Sequence, residues 1–126
     1  MSPTSPGAIL VLDDDDGFRR FLVRVLREAA YSVLDTGDPN EAMRLIEGTT
    51  PLDLVIADVR MPLFKPHGIA VGKAAMSARR GIKVIYISGE WVPTEFIDVS
   101  QTPLLAKPIK RDTLLASVRA ALASGK

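Results

Sequence analysis

A chain of 126 residues has the length of one ordinary domain, enough to bury a core without staples. With 47% hydrophobic and 25% charged residues, it has the composition of a soluble globular protein. Its formal net charge of +1 offers no overall field for nucleic acid or a membrane surface. The absence of cysteine excludes disulfides, thiolate metal sites and cysteine nucleophiles.

Residues 1–7 (Met-Ser-Pro-Thr-Ser-Pro-Gly) lack both a basic region and a long apolar stretch, and read as a disordered tail, not a signal peptide. Residues 8–126 read as one domain. Residues 8–12 (Ala-Ile-Leu-Val-Leu) form an apolar run that ends in Asp13, Asp14, Asp15 and Asp16. A helical pattern follows. Phe18, Phe21, Leu22, Val25, Leu26 and Ala29 share one face; Arg19, Arg20, Arg24 and Arg27 lie on the other, read as solvated. Residues 31–34 are a second strand candidate. Asp38 then caps a helix with Pro39 at its first position, an apolar stripe of Ala42, Leu45 and Ile46, and Gly48 as its stop.

Residues 52–57 (Leu-Asp-Leu-Val-Ile-Ala) are a third strand candidate and end in Asp58. The helix expected over 69–80 is weakened by Gly72 inside it. Residues 83–87 (Lys-Val-Ile-Tyr-Ile) end in Ser88, and the shorter run 104–106 leads into Lys107-Pro108. A last helix carries Leu114, Leu115, Val118 and Leu122 on one face and stops at Gly125. Short Val- and Ile-rich strands alternating with helices imply parallel βαβ units in a doubly wound α/β sheet with helices on both faces. No run approaches the roughly 18 apolar residues of a membrane span, so no membrane association is expected and the cytoplasm is the default location.

In such sheets, ligands gather at the carboxyl ends of the strands. That edge receives Asp13, Asp14, Asp58, Ser88 and Lys107, each at the end of an apolar run. Three carboxylates in one crevice repel one another, and a hard divalent cation such as Mg²⁺ relieves the repulsion. A lysine and a hydroxyl beside them suit an anion such as a phosphoryl group. Metal, anion and one carboxylate together suit phosphoryl transfer to aspartate. Asp15 and Asp16 read as helix-capping acids, and His67 as a surface residue.

These residues resemble those of the receiver domains of two-component response regulators. The matching pieces are Ile9-Leu-Val-Leu-Asp13-Asp14, Asp53-Leu-Val-Ile-Ala-Asp58-Val-Arg-Met61-Pro62, Val84-Ile-Tyr-Ile-Ser88-Gly89 and Lys107-Pro108-Ile109. The resemblance implies a flavodoxin-like sheet of five parallel strands in the order 2-1-3-4-5. It makes Asp58 the phosphoacceptor, Asp14 a direct Mg²⁺ ligand, and Asp13 a ligand acting mainly through metal-bound water. The backbone carbonyl of Arg60 completes the protein's share of the metal shell. Ser88 and Lys107 contact phosphoryl oxygens, and Lys107-Pro108 is a cis peptide. The implied partners are a sensor histidine kinase or histidine phosphotransfer protein and a downstream protein target, with no nucleic acid and no membrane. Such a chain is a phosphoacceptor that assists its own modification and hydrolysis, not an enzyme acting on other substrates.

The sequence also departs from the family pattern. The loop Leu63-Phe-Lys-Pro-His67 is extended and lacks the usual glycine and acidic residue. Leu104 replaces the usual aromatic switch residue, and the stretch from 89 to 102 is too short for a full fourth helix. That helix is expected to be short or degenerate, with the 89–102 loop and Trp91 as the output element. Arg60 and Glu90, two residues past Asp58 and Ser88, are expected to flank the path of attacking water. With the last helix at the end of the chain, signalling is expected to run through a protein partner, or the chain to serve as a phosphate shuttle or sink. Two rival readings are a receiver-fold binding module never phosphorylated, and an aspartate-nucleophile phosphatase. Arg60, standing where the latter needs an acid, argues against it.

Overall fold

Valine, isoleucine and leucine fill the segments that become strands, and in the computed structural model, which describes residues 7–59, 67–89 and 102–123, they pair in parallel throughout. The strands are β1 (Ala8–Leu12), β2 (Ser32–Thr36), β3 (Leu54–Asp58), β4 (Lys83–Ser88) and β5 (Leu104–Ala106), in the order β2-β1-β3-β4-β5. The helices are α1 (Asp16–Glu28), α2 (Pro39–Glu47), α3 (His67–Ala78) and, last in the chain, α4 (Arg111–Ala123).

Successive strand residues point to opposite faces, and both faces here are covered. Ile9, Val11, Leu54, Ile56, Ile85 and Ile87 face one layer with Leu22 and Leu26 of α1 and Leu114 and Val118 of α4. Leu10, Leu12, Val55, Ala57, Val84 and Tyr86 face the other with Ala42 and Ile46 of α2 and Ile69 and Ala75 of α3. Burying each large side chain stabilises the fold by roughly 1.5–3 kcal/mol, so the central strands β1 and β3 anchor the carboxyl edge where the polar residues stand.

The architecture is the one expected, with small differences at element ends. β2 begins at Ser32 and continues to Thr36 because its register against β1 extends to Leu12. β3 begins at Leu54, since Asp53 turns its carboxylate to accept a 2.8 Å hydrogen bond from the Ala8 amide. Asp58 and Ser88 are the last residues of their strands. The extended loop, the short or degenerate helix expected between the fourth and fifth strands, the 89–102 output loop, Glu90 and Trp91 fall largely or wholly on residues 60–66 and 90–101, outside the described residues.

Gly72 is no accident in α3. A Cβ there would lie 2.3 Å from the Tyr86 hydroxyl, which donates a 3.3 Å hydrogen bond to the Ile69 carbonyl. Helix propensity yields at this position to close packing on β4.

Arg79, just past α3, fastens α3 to the end of α2. Its guanidinium donates to the carbonyls of Ile46 (2.9 Å), Leu45 (3.0 Å) and Gly48 (3.0 Å), and also to Thr50. The last carbonyls of a helix have no partners within it, and a planar five-donor fork can serve several together. Arg79→Ala is expected to lower stability by about 2–4 kcal/mol, with Arg79→Lys recovering less than half. Urea unfolding checks this, and a loss below about 0.5 kcal/mol would show the contacts to be replaceable by water.

Candidate metal centre at the carboxyl edge of the sheet

Asp13 follows β1 directly and is fully buried. Its amide donates to the Thr36 carbonyl (3.1 Å), continuing the strand pairing by one residue. Its Oδ1 accepts from the Asp15 amide (2.9 Å), which turns the chain into α1. Asp15 is the N-cap, accepting from the Phe18 amide (3.1 Å), as its acidic-cap reading anticipates. Asp14, between them, is exposed at the mouth of the crevice.

Asp58 arrives from β3 and is 6% exposed. One carboxylate oxygen from each of Asp13, Asp14 and Asp58 lies within 4.8 Å of the others. The ammonium of Lys107, just past β5, stands 3.0 Å from Asp13 Oδ2 and 3.5 Å from Asp58 Oδ2. The Lys107 amide donates to the Ser88 carbonyl (2.9 Å), and the Lys107–Pro108 peptide is cis. Ser88 is buried at the end of β4, one strand from Asp58, which is paired in register with Ile87.

The electrostatics of this cluster are unfavourable when it holds charge. Burial first and the Asp13 charge second push the Asp58 carboxyl up to about 6, with Lys107 opposing both. Oδ2 of Asp13 and Oδ2 of Asp58 are buried without a hydrogen bond of proper geometry, which is costly beside one ammonium. An all-oxygen donor set in which two buried anionic atoms share one ammonium fits a hard divalent cation. Of the residues singled out from sequence, Asp13, Asp14, Asp58 and Lys107 come together here, and Ser88 lies at the same edge. Arg60, with its carbonyl, and the His67 side chain lie outside the described residues.

The solvated reading of the α1 arginines needs correction at Arg19, whose side chain is only 17% exposed, whereas Arg20, Arg24 and Arg27 are exposed. Arg19 Nη1 donates to the Asp13 carbonyl (2.8 Å), and the same guanidinium pairs with Asp16 and Asp35 at 2.9 Å each. Arg27 donates to the Val33 carbonyl (3.0 Å). Both clip α1 to the outer strand β2, because an arginine stem can reach carbonyls that helical periodicity alone assigns to solvent.

Gly68 was not singled out by the sequence reading. A Cβ on it would lie 2.1 Å from the Asp58 carbonyl oxygen, so only glycine lets the start of α3 approach the end of β3. Its one sequence signal was a glycine at the opening of a weak helix.

The profile of the response regulator receiver domain family matches residues 9–119. Among curated proteins, the chain is 31% identical over 81 residues to the response regulator receiver protein CpdR of Brucella abortus, covering 64% of this chain and 65% of that one. It spans less of other relatives, such as 11% of a two-component response regulator of Arabidopsis thaliana. A solved response regulator receiver protein from Sinorhizobium medicae superposes with a TM-score of 0.86 at 22% identity, covering 98% of both chains. The receiver domain of the hybrid histidine kinase CckA superposes with a TM-score of 0.75 at 32% identity, covering 92% of this chain and 99% of that one. With that match, this sheet order and these carboxylates and lysine at its edge, the chain belongs to the response regulator receiver domains of two-component signalling.

Proposed function

We propose that this receiver takes a phosphoryl group onto Asp58 from the phosphohistidine of a sensor histidine kinase or histidine phosphotransfer protein, and later loses it by hydrolysis. The observation that carries this reading is the buried Asp58 carboxylate beside Asp13, Asp14 and Lys107. A carboxylate oxygen of Asp58 attacks phosphorus as the bond from phosphorus to the imidazole nitrogen breaks; the electron pair stays on that nitrogen, and with a proton already on the other ring nitrogen the imidazole leaves neutral. Bound Mg²⁺ supplies charge neutralisation for the crowded oxygens. Asp14 and Asp58 are its direct ligands in this reading, with the Arg60 carbonyl, and Asp13 acts through metal-bound water. Lys107 swings from Asp13 and Asp58 to a phosphoryl oxygen, and the Ser88 hydroxyl donates to another. The phosphorylated state is then read by a downstream protein target. The chain assists its own modification and turns over no separate substrate.

Acetyl phosphate with Mg²⁺ should add one phosphoryl mass to the intact protein, labile in alkali as an acyl phosphate is, and chelation of divalent metal should prevent it. No mass gain at saturating donor would overturn the reading.

The metal assignment separates two adjacent acids. Asp14→Ala should lower Mg²⁺ affinity by about tenfold or more, as expected for loss of a ligand. Asp15→Ala should leave affinity nearly unchanged and cost about 1 kcal/mol of stability through its lost cap. Calorimetric Mg²⁺ titration of both variants checks this; equal affinities would refute the assignment.

A further inference from the structure

Lysine is a flexible stem carrying a point charge, and nothing in a strand end aims it. In this chain the Lys107 ammonium stands 4.5 Å from the centroid of the Phe18 ring, over its face. At that distance a cation is attracted by the ring's negative face, more strongly where water is excluded. The Lys107 side chain is only 18% exposed.

The ring itself is well held. Phe18 lies in the first turn of α1, where its amide donates to the capping carboxylate of Asp15. The ring packs against the core layer beneath α1 and α4, with the Phe21 ring 5.8 Å away and tilted by 33°. The same turn that follows Asp13 and Asp14 therefore also carries the plate on which Lys107 rests.

We propose that Phe18 is a positioning residue for Lys107, holding the ammonium at the site through its ring face. The proposal rests on the reading of Asp58 as phosphoacceptor. A carboxylate in the place of this ring would hold the lysine equally well but neutralise it. An uncharged ring holds it and leaves its full charge for the incoming phosphoryl oxygens. Asp13 and Asp58 compete for the ammonium when the site is empty. Once Mg²⁺ takes up their charge, the ring is, among the described residues, a contact that still keeps the ammonium in place.

Beryllofluoride with Mg²⁺, a mimic of the phosphoryl group, gives the test. Phe18→Leu should weaken its binding by about three- to tenfold, the range of a partly desolvated cation–ring contact. Phe18→Trp should restore it, while Mg²⁺ affinity measured alone stays the same in both. Replacing Phe18 by pentafluorophenylalanine keeps the ring's outline and reverses its quadrupole, so it should weaken binding at least as much as leucine does. This variant decides the matter if Phe18→Leu fails to fold. Should the fluorinated protein bind beryllofluoride as the unsubstituted protein does, Phe18 is only core packing and the proposal is overturned. Failure of the unsubstituted protein to bind beryllofluoride at all would instead overturn the phosphoacceptor reading, and the positioning role with it.

Discussion

In metal-free buffer at pH 7.5, Asp58→Asn is expected to be more stable than the unsubstituted protein by about 1–3 kcal/mol, an advantage that shrinks toward zero near pH 4. The carboxyl of Asp58 is held at about 6 in the folded chain, chiefly by burial and next by the Asp13 charge, against an ordinary value of 3.8. Below about pH 4 both folded and unfolded chains carry the proton, so the group contributes nothing. Between 4 and 6 the unfolded chain releases it while the folded chain keeps it, and stability falls as pH rises. Above 6 the folded chain holds a buried anion, and the whole cost is present. Asparagine carries no such charge, and Lys107 keeps Asp13 as partner. Urea unfolding of both proteins from pH 4 to 7.5 measures the difference. Saturating Mg²⁺ should narrow it, because the cation stabilises the carboxylate form through binding. A variant less stable than the unsubstituted protein at pH 7.5 would mean that Asp58 is better compensated than its two neighbours suggest.

Gly68→Ala should be the most damaging single methyl addition among the described glycines. The new Cβ would lie 2.1 Å from the Asp58 carbonyl oxygen, 2.7 Å from its carbonyl carbon and 3.1 Å from the Val59 Cα. All three are backbone atoms of the central β3 edge, so no side chain can swing away to make room. The start of α3 must lift off the sheet, at a cost of about 3 kcal/mol or more. Gly81→Ala is the control. Nothing lies within 4 Å of its added Cβ, and only its φ of +84° opposes the change, a penalty of about 1 kcal/mol. Thermal unfolding of the two variants should place Gly68→Ala well below Gly81→Ala. Equal midpoints would show that α3 can shift without loss.

Much of this was readable along the chain, for identifiable reasons. β1, β3 and β4 are buried on both faces, so they appear as unbroken apolar runs, and a polar residue at the end of such a run stands out. That is how Asp13, Asp58 and Ser88 declare themselves. Their roles, the part of the Arg60 carbonyl and the cis bond at Lys107–Pro108 came from family resemblance, since periodicity says nothing of them. What stayed hidden depends on neighbours distant in sequence. Gly68 and Gly72 look like helix weaknesses until Asp58 and Tyr86 are set against them. Arg19 and Arg27 sit opposite the apolar stripe of α1, yet β2 runs alongside and offers them a carboxylate and a carbonyl. Phe18 reads as core and is packed as core, but the same ring also faces Lys107 from the far end of the chain.

Chemical trapping tests most directly whether the phosphoryl group lands on Asp58. Borohydride reduces an acyl phosphate at an aspartate to homoserine, which peptide mass mapping can place in the sequence. After treatment with acetyl phosphate and Mg²⁺, homoserine should be found at position 58 and nowhere else, and Asp58→Asn should give none. Homoserine at Asp13 or Asp14 instead, or undiminished labelling of Asp58→Asn, would contradict the account.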